Sequence, residues 1–295
     1  IGERIRASWG ADELSLYGRF DFILAKDGTP KILEFNADTP TSLLEASVIQ
    51  WQWKEDVFPE CDQFNGIHEG LVQSWKDIFP KKGEIHFAGA LENNEDTGTL
   101  QYLASTAMEA GFSTRVLDMQ ALDLQNGRFF DPAGELVNRC FKLYPWEWMV
   151  DESPDGCLAE MEWLEPIWKL VMSNKAILAT LYELFPDSPY VLPCYLSRPR
   201  SGLFCKKPVF SREGHNVSVV DIRDWEEYVR IAETEGDYNT GAYVYQEYVE
   251  PTAYSGRYPV IGSWIIGGEA AGIGIRENRM EVTDNLSEFV PHIIG

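Results

Sequence analysis

Four polar side chains in two short runs are the first that can do chemistry together. Arg19 and Asp21 stand two apart in Tyr17-Gly18-Arg19-Phe20-Asp21-Phe22-Ile23-Leu24, and Glu34 and Asn36 stand two apart in Lys31-Ile32-Leu33-Glu34-Phe35-Asn36. Alternation along a strand puts each pair on one face, and pairing the runs as a hairpin brings all four together. Asp21, Glu34 and Asn36 are hard oxygen ligands, a set that suits Mg²⁺ when waters and phosphate oxygens complete its shell. Arg19 beside them is a fixed cation for a transferred phosphate. The same spacing also describes an exposed hairpin face carrying an ordinary ion pair.

A second group surrounds Cys205-Lys206-Lys207-Pro208, which reads as strand, loop, strand through Val217. Lys207 can meet a nucleotide phosphate, and the amides of Ser211, Arg212, Glu213 and Gly214 can cover others; a surface turn with solvated charges is the alternative. The run lacks the glycines and the Gly-Lys-Ser/Thr ending of a Walker loop. Gln246, within Tyr243-Val244-Tyr245-Gln246-Glu247-Tyr248-Val249, can serve an adenine edge or belong to plain sheet core. Arg276 stands at a strand end, with Thr283, Asp284 and Asn285 beyond, where it can face developing negative charge. Glu92-Asn93-Asn94-Glu95-Asp96 follows a strand's carboxyl end, where α/β sheets bind ligands, and equally reads as a solvated loop.

Other chemistries are excluded by type and spacing. His68, His86, His215 and His292 share no metal-ligand spacing, so zinc is not expected, and no GxSxG elbow occurs. Gly272-Ile273-Gly274 is too short for a dinucleotide fingerprint and no helix follows it. Cys61, Cys140, Cys157, Cys194 and Cys205 form no CxxC pair and read as packed, reduced thiols of a cytoplasmic protein.

The elements that must position these groups follow from periodicity. Two β-rich runs around Asp27-Gly28 predict a hairpin. Glu45 to Asp56, His68 to Phe79 and Thr99 to Gly111 predict helices, with strands at Ile85 to Leu91 and Thr114 to Leu117, a small α/β layer. Pro166 to Phe185 predicts one or two helices around Ser173-Asn174-Lys175. From Leu203 onward strands dominate, with Gly267-Gly268 turning a second hairpin and Asp224 to Glu235 expected as the one helix. The 295 residues are assigned to two regions: 1–150, a metal-binding hairpin with the small α/β layer, and 151–295, a nucleotide-binding region interleaved with it. The chain opens at Ile1 rather than methionine, and a further segment is expected ahead of it.

With 25 basic against 47 acidic side chains the net charge is −22, so nucleic-acid binding through a basic surface is not expected, whereas a cationic substrate is compatible. The apolar stretches are strand-sized, and no membrane association is expected.

Several of these runs together resemble the synthetase domain of glutathionylspermidine synthases and their relatives. They are Arg19-Phe20-Asp21-Phe22, Leu33-Glu34-Phe35-Asn36-Ala37-Asp38-Thr39-Pro40-Thr41-Ser42-Leu43, Phe141-Lys142-Leu143-Tyr144-Pro145-Trp146-Glu147-Trp148-Met149, Ser173-Asn174-Lys175, Lys207-Pro208 through Gly214, Ile261-Gly262-Ser263-Trp264 and Gly274-Ile275-Arg276-Glu277. They run in order from Gly18 to Ile294.

The resemblance implies an α/β (α+β) ATP-grasp fold with interleaved subdomains. It also implies an ATP- and Mg²⁺-dependent acid–amine ligase that joins a glutathione-like peptide to a spermidine-like polyamine through an acyl phosphate. Carried over by position, Asp21, Glu34 and Asn36 become the metal ligands. Arg19 and Arg276 become the catalytic cations, Lys175 and Lys207 phosphate ligands, and Ser211, Arg212, Glu213 and Gly214 a lid, with Gln246 and Thr283 near the adenine. Ser42, Glu95, Asp96, Glu147 and Trp148 match the peptide and polyamine region. Bifunctional members carry a separate cysteine amidase domain before the synthetase; these residues do not supply it, and amidase activity is not expected of them. A nucleotide-binding module without ligase activity and a phosphotransferase that stops at the acyl phosphate remain as alternatives.

Overall fold

The computed structural model describes all residues except 213, 225–227, 237, 239–240 and 280–286. Around Asp27-Gly28, where Gly28 takes φ 82°, strands Tyr17–Leu24 and Pro30–Asn36 pair antiparallel as the sequence predicts. Tyr17–Leu24 pairs on its other side with Tyr258–Ile266, which turns through Gly267-Gly268 into Glu269–Asn278, and Glu288–Val290 completes the sheet. The two ends of the chain therefore build one five-stranded sheet, with Pro30–Asn36 at its edge. Asp21 faces Glu34 while the next residue, Phe22, faces Ile32, which makes Leu33 an extra residue in the ladder, a bulge.

A four-stranded parallel sheet runs in the order Ser113–Asp118, Glu84–Gly89, Arg139–Leu143, Glu162–Leu164, so its last strand lies past residue 150. On one face Trp75, Phe87, Leu103 and Phe141 join Tyr17 and Trp264 in a core shared with the hairpin sheet. On the other, Cys140, Trp146, Met149 and Trp163 form a second core. Burial on both faces explains the unbroken apolar character of Phe87-Ala88 and Cys140-Phe141. A three-stranded sheet at Asp123–Gln125, Arg128–Phe130 and Leu136–Val137 is additional to the elements expected from periodicity.

The remaining sheet is antiparallel, in the order Cys194–Tyr195, Tyr243–Glu247, Gly202–Pro208, Ser218–Ile222, Tyr228–Glu233. Over Tyr228–Glu233 its last strand corrects the helix expected over 224–235, of which 225–227 lie outside the described residues. All six residues of Tyr228–Glu233 are exposed, so these residues bury no apolar stripe that would stabilise a helix by packing, whereas Tyr228, Val229 and Ile231 suit an edge strand. A second difference concerns Glu95 and Asp96, which lie in the first turn of helix Asn94–Glu109 rather than in a loop. Asn93 caps that turn by accepting from the Glu95 amide at 2.9 Å, and the helix dipole favours carboxylates there.

Beneath the first hairpin lie four buried charges. Lys169 Nζ donates to the carbonyls of Tyr17 (2.9 Å) and Ala37 (3.0 Å), one at each open end of the hairpin. Glu165, 3.5 Å from Lys169, accepts from the amides of Leu16 and Tyr17. Asp38 accepts from Lys142 Nζ at 2.6 Å and from the Trp146 amide at 2.9 Å, with the Lys142 ammonium 4.4 Å from the Trp146 ring. Burial pushes the Lys142 pKa down and that of Glu165 up, so each charge depends on its partner. Lys142→Met strands the Asp38 carboxylate and should cost about 3–5 kcal/mol of unfolding free energy, part of which Asp38→Leu in the same chain restores. Denaturant titration checks this; a loss below about 1 kcal/mol would show that the pair does not brace the hairpin.

Candidate active site

The hairpin brings the four side chains together, with Arg19 opposite Asn36 and Asp21 opposite Glu34. Asp21 is almost fully buried and accepts from four donors. Arg19 Nε reaches Oδ1 at 2.6 Å, while Arg19 Nη2 (3.0 Å), Arg276 Nη2 (2.7 Å) and Asn36 Nδ2 (3.2 Å) converge on Oδ2. Arg19 Nη1 also donates to the Thr41 carbonyl at 2.5 Å. On the far side, Glu34 takes Lys175 Nζ at 3.1 Å. Burial raises the Glu34 pKa, yet Lys175 and Lys207 outweigh it and hold the carboxyl at about 2. For Arg276, burial and the adjacent Arg19 cation lower the pKa against the pull of Asp21 and Glu34. Positive charge around Asp21 thus exceeds what one carboxylate balances.

These groups line a cavity of about 550 Å³, together with Ser42, Glu45, Glu95, Gly214 and Gln246. Five of the chain's 25 basic side chains border it: Arg19, Lys175, Lys207, Arg212 and Arg276. Among the described residues the cleft does not share the acidic character of the whole chain: it balances those cations against Asp21, Glu34, Glu45, Glu95 and Glu247. Lys207 Nζ donates to the bulge carbonyl of Leu33 (3.0 Å) and to Gln246 Oε1 (2.7 Å), and Lys175 donates to the Ser211 carbonyl (2.6 Å).

A smaller chamber alongside is lined by Glu147, Ser173, Lys175, Ser211 and Arg212. There Arg212 pairs with Glu147 at 2.9 Å, donates to Thr39 Oγ1 at 2.5 Å and lies 5.6 Å from the Trp148 ring. Asp96 and Trp148 line neither space. Glu213 and Thr283, like Asp284 and Asn285, lie outside the described residues.

Over residues 1–295 the sequence matches the family described as glutathionylspermidine synthase preATP-grasp. The chain belongs to that family. It is 39% identical to a Haemophilus influenzae protein named "Putative acid--amine ligase", covering 98% of this chain and 77% of that one. Identity is 28% to trypanothione synthetase of Crithidia fasciculata (97% of this chain, 48% of that protein) and 26% to the bifunctional glutathionylspermidine synthetase/amidase of Escherichia coli (99% and 51%). The chain thus spans about half the length of these last two. A solved structure named as a "Putative gamma-glutamylcysteine synthetase" of Methylobacillus flagellatus KT superposes with TM-score 0.64 at 11% identity, over 99% of this chain and 83% of that one. The fold is of the ATP-grasp type, and the family is one of carbon–nitrogen ligases.

Within this family chain the braces of the site were the part sequence reading did not supply: Asp38, Lys142, Glu165 and Lys169 under the hairpin, and the Leu33 bulge. A lysine inside the apolar strand Phe141-Lys142-Leu143, and the i, i+4 spacing of Glu165 and Lys169, are the signals that point to them. Gly262, opposite Asp21, leaves the slot that Arg19 occupies: a Cβ there would lie 2.7 Å from Arg19 Cδ. Gly262→Ala should push the guanidinium off Asp21 and destabilise the fold by about 1–3 kcal/mol. An unchanged denaturation midpoint would mean that the slot has room to spare.

Proposed function

We propose that the chain is an ATP- and Mg²⁺-dependent ligase that joins the carboxylate of a glutathione-like peptide to an amine of a spermidine-like polyamine. The observation that carries this reading is the convergence of Asp21, Glu34 and Asn36 on one cavity bordered by five cations. Among the described residues no three His, Cys, Asp or Glu side chains cluster as metal ligands. Two carboxylates and an amide are instead the short set that Mg²⁺ accepts when phosphate oxygens and water supply the rest; the donor types fit this ion, which would take Asp21 Oδ2 from the N–H donors of Arg19, Arg276 and Asn36 that hold it here. Asp21, Glu34 and Asn36 would hold Mg²⁺, which when bound neutralises phosphate charge.

Lys175 and Lys207 would bind the nucleotide phosphates, with Ser211, Arg212, Glu213 and Gly214 above them and Thr283 near the base. Arg19 and Arg276, beside Asp21, would face the phosphoryl group as the peptide carboxylate takes it from ATP and ADP leaves. The amine nitrogen then attacks the acyl carbon, inorganic phosphate departs, and the amine proton passes to solvent or base. Ser42, Glu95 and Asp96, with Glu147 and Trp148 beside Arg212, are the residues assigned to peptide and polyamine. A polyamine's ammonium groups need carboxylates to replace their water. Five unpaired thiols accord with a reducing, cytoplasmic setting.

Incubation with ATP, Mg²⁺, glutathione and a polyamine panel should yield an amide by mass spectrometry, with one phosphate released per amide. Arg276→Ala should lower kcat about 10²-fold with little change in nucleotide affinity. ATP binding without any amide across the panel would contradict ligation, and an equal loss of kcat and affinity would make Arg276 a binding residue only.

A further inference from the structure

Gln246 sits on the second strand of the antiparallel sheet, with Cys194 of the edge strand opposite on one side and Cys205 on the other, and it is only 2% exposed. Both ends of its amide are engaged. Oε1 accepts from Lys207 Nζ at 2.7 Å, and Nε2 donates to the Ile32 carbonyl at 2.8 Å. The Ile32 amide donates to Tyr190 O at 2.9 Å, and the next carbonyl, at the Leu33 bulge, receives Lys207. One amide and one ammonium therefore stitch this sheet to the edge strand that carries Glu34. The backbone amides beyond Gln246 are occupied as well, Glu247 donating to Pro193 O and Tyr248 to Leu203 O.

We infer that Gln246 is a positioning residue for the Lys207 ammonium and so for the nucleotide phosphates, rather than a reader of the base. This rests on the ATP reading above. A lysine ammonium has three donors and a long flexible stem. The Leu33 carbonyl and Gln246 Oε1 fix two of those donors, which sets the stem and leaves the third for an anion in the cavity. The amide is suited to the task because it offers an acceptor to Lys207 and a donor to Ile32 at once. A carboxylate would neutralise the cation, and an apolar side chain would leave the Ile32 carbonyl and one Lys207 donor without these partners.

Equilibrium competition binding separates the possibilities, using ATP, inosine triphosphate and adenosine against wild type, Gln246→Met, Lys207→Met and the double variant, each checked by thermal melting. The inference predicts that Gln246→Met weakens ATP and inosine triphosphate by the same factor, about tenfold for a charge-assisted contact, with adenosine within about twofold. In the Lys207→Met background the same substitution should add nothing. Loss of adenosine affinity equal to that of ATP, a fall in the ATP to inosine triphosphate ratio, or full additivity of the two substitutions would each overturn it. If Lys207→Met does not fold, the contrast between ATP and adenosine in Gln246→Met still decides. Wild type that binds none of the nucleotides would instead sink the ATP reading itself.

Discussion

The structure depends on one buried ammonium. Lys169 bonds the carbonyls of Tyr17 and Ala37, where the first hairpin begins and ends, and Glu165 holds the amides just before it. An uncompensated charge at that depth would be costly, so the lysine stays only while both carbonyls and the carboxylate are in place. Asp38 and Lys142 repeat the arrangement one residue further on and tie the hairpin to the parallel sheet. The result is a hairpin whose open ends cannot splay, which is what a face carrying Arg19, Asp21, Glu34 and Asn36 needs if their geometry is to be ready before a ligand arrives.

On that rigid base the electrostatics are arranged in opposition to the chain as a whole. A protein of net charge −22 gathers five cations around one cavity and sets two of them, Arg19 and Arg276, on a single carboxylate. Around Asp21 itself two guanidinium groups share one carboxylate, and under the proposed function a polyanion that carries its own metal would meet them. The antiparallel sheet contributes Lys207, while Lys175, bonded to the Ser211 carbonyl, connects the helical segment to the loop above. Under the proposed function, nucleotide binding would add a further link between parts of the chain that side chains and a few backbone bonds already join.

Much of this was legible in the sequence because it is local. Period-two spacing is enough to place Arg19 with Asp21 and Glu34 with Asn36, and an Asp-Gly or Gly-Gly turn is enough to close each hairpin. What was not legible depends on distant partners. Nothing near Tyr228 announces that Ser218–Ile222 will pair with it, so a stretch read as a helix forms an edge strand. Gln246 reads from its neighbours as core or as a base contact, and only the approach of Ile32 and Lys207 from elsewhere in the chain assigns its amide. The charges under the hairpin come from residues 38, 142, 165 and 169, a grouping that the parallel sheet creates.

The central claim is that this cavity activates a carboxylate by transferring phosphate to it. Peptide labelled with ¹⁸O in its terminal carboxylate, incubated with ATP, Mg²⁺ and the amine that supports product formation, tests it most directly. The account predicts one ¹⁸O in the inorganic phosphate for each amide formed. Phosphate that carries no label while amide accumulates would contradict it.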